Sequence, residues 1–317
     1  CWHRYIPQRI AMEEARKAGR PVDDRIPPYV KWHTERIWKM GDTSDNSAGY
    51  HWVFFRYVWQ YFMHTGQWDE FLEHPEFMKT IRRYVEMVAP GGACPQFGST
   101  SGWPSVGMSM LAYEWISTIS GDGTFKWRSH RIAEYYYNHL DHDRFQQYHL
   151  PADTARTNFL QAYLLADDSV EPEAPSAQSR ITWRRGLIRT PPERHRERPG
   201  LPRHTMVDEQ VPDKLLLWSG REAQDLWGMV ELVGIGGHSG QIPGAIHALM
   251  QHDAALLAGQ GYYGNSPEFQ NILWVEDLEG VAADSRPLQV SVPAFVEDRA
   301  LTYARIRSEP YQKLPVT

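Results

Sequence analysis

The stretch 45–52 carries an amide, a phenol and an imidazole at the start of a long aromatic segment. Asn46 and Tyr50 are four residues apart and Asn46 and His51 are five apart, so the first turn of a helix could present all three side chains together. A phenol beside an imidazole and a carboxamide can abstract a proton next to a carboxylate. The alternative is a capped helix with ordinary aromatic packing, since the stretch begins with three residue types that cap helices.

Two glycine-containing loops carry the other side chains that could take part in chemistry. In the segment 234–240, glycines on both sides of His238 would let the backbone approach a ligand and leave the imidazole on a tight turn. The segment 89–104 is a long Gly/Ser/Pro loop that contains Gln96 and Trp103, and loops of this length in compact domains often have a function. Each loop also fits a simpler interpretation, a solvated histidine in the first case and a surface connector in the second.

The N-terminal half has the spacing of apolar residues that is typical of helices. Helix pairs that recur every few tens of residues, without a consensus repeat motif, predict an α/α toroid rather than a solenoid. The third predicted helix is apolar on nearly every side, so we expect it in the middle of the bundle. The predicted helices are 5–20, 30–40, 47–64, 68–88, 105–120, 125–140 and 154–165.

From about residue 214 the pattern changes to short apolar runs separated by turn residues, which predicts an antiparallel β-sandwich. The preceding segment is rich in Pro, Arg and Glu, which is typical of a linker with irregular strands. Its basic cluster, formed by Arg184, Arg185 and the arginines of 194–203, would either attract an acidic polymer or simply be solvated. The predicted strands are 215–218, 229–233, 246–250, 254–257, 272–275 and 288–292.

The fold class that follows is a multidomain α+β protein. The predicted domains are an α/α-toroid helical domain over 1–166, a linker with the first irregular strands over 167–212, and a β-sandwich over 213–317. We expect the sandwich to be truncated, because the chain ends after too few strands for a large sandwich without an unpaired edge. We expect the toroid to be incomplete as well.

Composition argues against several classes of protein. The 317 residues include 33 Lys and Arg against 39 Asp and Glu, and the resulting net charge of −6 is unlike that of a general nucleic-acid binder. Two cysteines make no disulfide framework, and no run of about 18 apolar residues could span a membrane. The 13 Trp and 16 Tyr suit either a sugar-binding cleft or an aromatic core.

The order and spacing of these features resemble the heparinase II/III-like polysaccharide lyases, which join a helical toroid to a β-sandwich through an irregular linker. In the sandwich that family has a histidine-containing turn, a strand that ends in Asp-x-Gly-Tyr and a His-Asn-x-x-x-Val-Asp strand. The segments that look like these motifs are 237–240, 256–263 and 270–277. Two further segments, 45–50 and 95–103, look like cleft motifs of the toroid.

The resemblance implies β-elimination on a uronic-acid-containing polysaccharide by a secreted or periplasmic enzyme, with an acidic polysaccharide as its partner. Asn46, together with Gln96, would bind the uronate carboxylate and acidify the neighbouring C5 proton. Trp103 would stack on a sugar ring. One side chain would remove the proton and a tyrosine would protonate the leaving oxygen. The candidates for this proton transfer are Tyr50, His51 and His238.

The chain departs from the family pattern at the metal site and in the toroid loop. Members often hold a structural zinc with two histidines and the Asp of Asp-x-Gly-Tyr. Here Gly259 and Gln270 stand at two of those positions, and neither is a good zinc ligand, so we predict no zinc and no other cofactor. Ser99 stands where related sequences tend to carry Asp.

Two alternative functions remain open at this stage. A glycoside hydrolase on an α/α toroid would need two carboxylates across a cleft. Asp45, Asp69, Glu70 and Glu114 are available, but their spacing suggests no pair. A non-catalytic glycan-binding protein would explain the departures at Ser99 and at the zinc positions.

Overall fold

A computed structural model gives an architecture of helices followed by antiparallel sheets. It describes residues 2–22, 38–42, 48–94, 97, 103–139, 152–176, 179–189, 204–234, 243–252, 254–258, 291–297 and 302–307. None of the helices in these ranges combines the length and the apolar character that a membrane crossing requires.

Five of the predicted helical segments each correspond to one helix of the described residues, and a sixth, 68–88, corresponds to two. The remaining predicted helix, 30–40, lies mostly outside the described residues, and only its end at 38–40 is described as helical. In chain order the helices are α1 (Trp2–Lys17), α2 (Ala48–Thr65), α3 (Trp68–Glu73), α4 (Pro75–Glu86), α5 (Trp103–Ser120), α6 (Gly123–His139) and α7 (Ala152–Leu165).

The predicted helix 68–88 is interrupted at His74, which separates α3 from α4. Pro75 begins α4, and a residue before proline is pushed towards extended backbone, as His74 is with φ −70° and ψ 105°. The His74 imidazole accepts a hydrogen bond from the Phe77 amide at 3.3 Å and so caps α4. The prediction of a single helix was therefore wrong, because a proline with a capping residue before it starts a new helix. The buried face of this new helix, α4, carries Arg83.

Five strands form one antiparallel sheet in which each strand pairs with the next along the chain. Two further strands form a separate antiparallel pair. The strands are β1 (Ile181–Arg189), β2 (His204–Trp218), β3 (Trp227–Glu231), β4 (Ile246–Gln251), β5 (Ala254–Ala258), β6 (Ser291–Glu297) and β7 (Thr302–Arg307).

The strand bounds differ from the sequence prediction at several places. The run 215–218 is only the end of the long strand β2, so the predicted domain boundary at 212/213 falls inside a strand. The predicted strand 288–292 overlaps β6 at 291–292, its first residues lie outside the described part of the chain, and β7 was not predicted. The predicted strand 272–275 lies outside the described residues.

An irregularity in β2 changes the direction of a charged side chain. Thr182 of β1 pairs with Lys214, whereas the next residue, Trp183, pairs with Pro212. Asp213 is therefore an extra residue in β2, which is the definition of a β-bulge. A bulge re-aims side chains, and here both Asp213 and Lys214 are completely buried.

A similar irregularity lies in β4. Met229 of β3 pairs with Ala248, whereas Val230 pairs with Ile246, so His247 is an extra residue in β4. The His247 side chain is 6 % exposed. Bulges thus occur in both strands that flank β3, and each of them buries a polar side chain.

The five-stranded sheet is covered on both faces. Leu216 and Met229 are fully buried in the core that includes the helices, whereas Leu215 and Val230 cluster with side chains of β6 and β7 such as Phe295. Successive residues of a strand face opposite sides, so this division follows from the period of two. The described fold is therefore a mixed α+β arrangement, with helices on one side of the sheet and a two-stranded unit on the other.

Aromatic rings make up the core of the helical part. Phe62 of α2 lies 5.2 Å from Phe71 of α3 and 6.3 Å from Phe77 of α4, measured between ring centroids. Trp38 stacks on Phe62 at 5.4 Å. Burying a phenylalanine stabilises a fold by about 2–3 kcal/mol, so these rings hold α2, α3 and α4 together.

Candidate functional site

Six charged side chains meet where α4 packs against the sheet, and we name them the junction cluster. Each is at most 4 % exposed, a degree of burial that charged residues reach only when they are paired. Three are carboxylates and three are cations, so the charges cancel when all are ionised. The members are Asp42, Arg83, Arg184, Asp213, Lys214 and Glu231.

Five members of the junction cluster form a continuous series of contacts with alternating charge. The Asp42 carboxylate accepts hydrogen bonds from both terminal nitrogens of Arg83, at 2.8 and 3.3 Å. Arg83 Nε lies 3.5 Å from Asp213 Oδ2, an ion pair without a hydrogen bond. Lys214 Nζ donates to Asp213 Oδ1 at 2.8 Å and lies 2.9 Å from Glu231 Oε1. The series therefore runs from the helical part through α4 into β2 and β3.

Local backbone geometry places the carboxylates of Asp42 and Asp213 against Arg83. Gly41 has a positive φ of 62°, and a Cβ there would lie 2.5 Å from the carbonyl carbon of Glu76. Only glycine tolerates both the conformation and the close approach to α4, and this approach places Asp42 against Arg83. On the sheet side, the bulge at Asp213 directs its carboxylate to the same guanidinium.

The charges of the junction cluster stabilise one another against the cost of burial. Burial lowers the pKa of Arg83, but the carboxylates of Asp42 and Asp213 outweigh this effect and hold the pKa above its ordinary value. Burial raises the pKa of Asp213, but Lys214 and Arg83 outweigh it and the pKa is lowered. Burial prevails at Glu231 over the attraction of Lys214 and raises its pKa to about 6. Of these three groups, Glu231 titrates nearest to neutral pH.

His51 lies beside the helical end of the junction cluster. Its ring is fully buried and stacks on the Tyr84 ring with 3.6 Å between centroids. Its Nδ1 lies 3.9 Å from Asp42 Oδ1, and neither ring nitrogen has a hydrogen-bond partner. Burial, followed by the charge of Arg83, holds the pKa of His51 well below its usual range. His51 is therefore a neutral imidazole at neutral pH, enclosed in protein.

The loop between α4 and α5 enters this region through Phe97. The Phe97 ring stacks on the face of Tyr84 at 5.9 Å, so Tyr84 lies next to both His51 and Phe97. Lys214 Nζ lies 4.5 Å from the centre of the Phe97 ring, a cation–π contact, and His247 meets the ring edge-on at 6.4 Å. The loop residue thus connects the helical part with both bulged strands of the sheet.

Glu231 forms hydrogen bonds with residues at both ends of the segment that contains His238. The Gly244 amide donates to the Glu231 carbonyl at 2.6 Å, and the Glu231 amide donates to the Ala245 carbonyl at 2.9 Å. The Glu231 carboxylate in turn accepts a hydrogen bond from the Val233 amide at 3.2 Å. Glu231, whose carboxylate also binds Lys214, therefore holds both ends of this segment at the junction cluster.

The described residues contain only part of the site predicted from the sequence. His51 is the one predicted site residue whose side chain is described, and it lies in the interior rather than on a surface. The backbones of Tyr50 and Trp103 lie in the first turns of α2 and α5, and their side chains are outside the described part. The remaining predicted site residues, Asn46, Gln96 and His238, lie outside the described residues.

The junction cluster was missed by the sequence interpretation, although a signal for it exists. Glu231 stands inside the apolar run 229–233, and Asp213 and Lys214 directly precede the apolar run 215–217. A charged residue within a run that reads as buried needs a charged partner, because an unpaired buried charge is very costly. The partner Arg83 was harder to find, because arginine is common on the exposed faces of helices.

Two arginines of the predicted basic cluster, Arg184 and Arg185, are buried or paired with carboxylates rather than presented on a surface. Arg184 is 2 % exposed, and the Arg185 guanidinium pairs with Glu76 at 3.3 Å and with Asp208 at 2.5 Å. Both arginines lie on β1, whose helix-facing side is covered by α4. The arginines of 194–203 lie outside the described residues.

Within the described ranges, no group of three or more His, Cys, Asp or Glu side chains has the geometry to hold a metal ion. Gly259 and Gln270, on which the expectation about zinc depends, lie outside these ranges. No protein-family model matches this chain, and neither does any of the curated proteins or solved structures with which it was compared.

Proposed function

We propose that this protein is a polysaccharide lyase that cleaves a uronic-acid-containing polysaccharide by β-elimination. The observation that carries the proposal is the double contact of Tyr84, whose ring stacks both with His51 and with Phe97. It joins the first turns of α2 to the loop of Gln96. Because Lys214 and Glu231 continue these contacts, the loop of His238 is tied to the same place.

The proposed reaction needs three groups around one sugar unit. A base removes the C5 proton of the uronate, the electrons of that bond form a C4–C5 double bond, and the C4–O bond breaks. An acid gives a proton to the leaving oxygen. Because the double bond forms as the C4–O bond breaks, no water is added. Asn46 and Gln96 would hold the carboxylate, which stabilises the charge that develops beside C5. Tyr50 and His238 are the proposed proton-transfer groups.

His51 takes a more restricted part in this proposal than the sequence suggested. Its fully buried ring does not reach a substrate in the described arrangement, so it would act as a base only after the groups around it had moved. Two ring nitrogens without partners inside a core cost stability, and such groups call for a functional reason. As a neutral ring directly after Tyr50, His51 would support the first turn of α2 on Tyr84.

The substrate class sets the expected surroundings of the protein. Uronate polysaccharides are extracellular polymers, so the proposal includes a secreted or periplasmic location and an acidic polysaccharide as partner. The hydrolase alternative has less support. Asp69 and Glu70 are adjacent and exposed on α3, Glu114 is buried in α5, and Asp45 lies outside the described residues, so no pair of exposed carboxylates across a cleft supports it among the residues described.

The test is to incubate the protein with several uronate polysaccharides and to follow the ultraviolet absorbance of the unsaturated product. The proposal expects absorbance to grow with at least one polymer. The Tyr50→Phe variant should lose about 100-fold or more of that rate, the usual contribution of a proton-transfer group. The matched control is Tyr163→Phe, since Tyr163 is an exposed tyrosine on α7, and this variant should keep the wild-type rate.

Each other outcome of this experiment has a definite meaning. New reducing ends without absorbance would identify a hydrolase, and binding without cleavage would identify a glycan-binding protein. An unchanged rate in the Tyr50→Phe variant would remove Tyr50 from the mechanism while leaving the reaction itself in place.

A further inference from the structure

We propose that Asp213 and Arg83 are positioning residues for this reaction, because their contact fixes the two sides of the proposed site relative to each other. We name these sides the helix wall, which is the first turn of α2, and the sheet wall, which is the end of β3 and the residues directly after it, from Glu231 to Val233. This inference rests on the proposed function, since it concerns the alignment of Tyr50 with His238.

The contacts lead from one wall to the other without a gap. On the helical side, Arg83 holds Asp42 with two hydrogen bonds, and Asp42 lies 3.9 Å from His51 in α2. On the sheet side, Asp213 holds Lys214, which is 2.9 Å from Glu231. The contact between Arg83 and Asp213 is the step at which this series crosses from helices to sheet.

The chemistry of this connection suits positioning better than stabilisation. Replacing a buried ion pair by apolar side chains is often neutral or stabilising, so burial of these charges is weak evidence for a role in stability. Apolar surfaces can slide over one another, whereas alternating charges with hydrogen bonds have one favourable arrangement. The β-bulge that turns Asp213 towards the helices is also a local departure from regular strand pairing, and such departures are enriched beside active sites.

A second ion pair between helix and sheet offers a matched control. Glu76 of α4 and Arg185 of β1 are 3.3 Å apart, so they join the same two parts of the fold. Their side chains are 23 % and 14 % exposed, which places them nearer to the rim than the junction cluster. The contacts of this pair lead on to Asp208, which belongs to neither wall.

The experiment compares Asp213→Asn with Glu76→Gln in the full chain. Each change removes one negative charge and keeps the shape of the side chain. The inference predicts that Asp213→Asn lowers kcat by roughly 10- to 100-fold, because a misplacement of about 1 Å can cost that much, and leaves KM within about threefold. Glu76→Gln should leave both constants within about twofold.

Amide hydrogen exchange supplies a readout that does not depend on activity. In Asp213→Asn, exchange should become faster both in the first turns of α2 and in the amides from Glu231 to Val233 that form the sheet wall. Glu76→Gln should change neither segment. If the wild-type protein forms no unsaturated product, the proposed function fails, and this exchange comparison alone decides whether Asp213 fixes the two walls.

A second variant covers the case in which Asp213→Asn does not fold. Lys214→Met combined with Glu231→Gln removes one positive and one negative charge and cuts the series beyond Asp213. It should give the same loss of kcat with little change in KM, and faster exchange at the sheet wall. The inference is overturned if a folded variant of either kind keeps the wild-type kcat, if the loss lies in KM, or if Asp213→Asn changes exchange at one wall only.

Discussion

The aromatic core of the helical part and the junction cluster are both buried, but the first consists of apolar rings and the second of charged side chains. In the first, rings such as Phe62, Phe71 and Phe77 contact one another and carry no charge. In the second, charged groups such as Arg83 and Asp213 replace apolar contacts at the boundary with the sheet. The aromatic core gains free energy by burial alone, whereas the junction cluster gains a defined geometry at the expense of desolvation.

This difference separates the two tasks of the fold. The aromatic core keeps the helices together and should tolerate any change that preserves volume. The junction cluster fixes where the sheet lies on the helices and should tolerate little change of charge. Variants of the aromatic core should therefore lose stability and keep the catalytic rate per folded molecule, whereas variants that change a charge of the junction cluster should lose catalytic rate in addition to any loss of stability.

The largest effect on stability is expected from Phe77→Ala in the aromatic core. Phe77 has no exposed surface, so the change leaves a cavity and should lower the free energy of unfolding by about 4 kcal/mol. Urea denaturation measures this loss, and the catalytic rate per folded molecule should stay unchanged. Met63→Ala on the exposed side of α2 is the control, with a loss of less than about 0.5 kcal/mol. A lower rate per folded molecule for Phe77→Ala would contradict the assignment of stability alone to the aromatic core.

The next effect is expected from Arg83→Met in the junction cluster. This change leaves the buried carboxylates of Asp42 and Asp213 without their shared cation and should cost about 3 kcal/mol. The neighbouring Arg82 pairs with Asp122 at 2.8 Å, but its side chain is 54 % exposed, so Arg82→Met should cost less than about 1 kcal/mol. Chemical denaturation of both variants gives the comparison, and equal losses would show that burial of the pair is irrelevant.

A smaller effect should separate two glycines that have nearly the same backbone conformation. Gly41 and Gly19 have φ of 62° and 63°, so alanine brings the same strain of about 1 kcal/mol at either position. A Cβ at Gly41 would also collide with Glu76, whereas nothing lies within 4 Å at Gly19. Gly41→Ala should therefore cost about 2 kcal/mol more than Gly19→Ala in thermal or chemical unfolding. Equal costs would mean that Gly41 does not hold Asp42 against Arg83.

The smallest effect is a change in how stability depends on pH. The pKa of His51 is lowered from 6.5 in the folded protein, so the unfolded chain binds the proton more readily. Its contribution to stability is complete above pH 6.5 and is lost as the pH falls below that value. In wild type this loss should approach about 1.4 kcal/mol per pH unit, and His51→Phe should remove it.

Denaturation at several pH values between 7 and 5 measures the difference between wild type and His51→Phe. Glu231 acts in the opposite sense, because its raised pKa makes its contribution fall as the pH rises towards about 6. Both proteins retain Glu231, so its effect cancels in the comparison. Parallel pH curves for the two proteins would contradict the neutral, buried state of His51.

The sequence predicted the helical and strand content because these depend on local spacing. The aromatic helix 47–64 agrees closely with α2, and 246–250 with β4. The break at His74 and Pro75 was missed, although the proline marks it. The long strands β1 and β2 were predicted only as irregular strands of a linker and as the short run 215–218, because their polar and proline-containing segments do not alternate simply.

The candidate site was predictable only in part, for a physical reason. Short motifs such as 45–52 indicate which side chains could do chemistry, but the ion pairs join residues that are far apart in the chain. Arg83 meets Asp42 across 41 positions, and Asp213 is turned towards Arg83 by a bulge that depends on strand register. Neither the register nor the close approach at Gly41 follows from local pattern.

The most direct measurement of the central claim is the mass of the fragments that the protein releases from a uronate polysaccharide. Elimination adds no water, so each fragment with a new non-reducing end should be lighter by one water molecule than the corresponding hydrolysis product. The proposed lyase predicts these unsaturated fragments with wild type and their strong reduction with Tyr50→Phe. Fragments with the mass of hydrolysis products, or intact polymer with every uronate substrate, would contradict it.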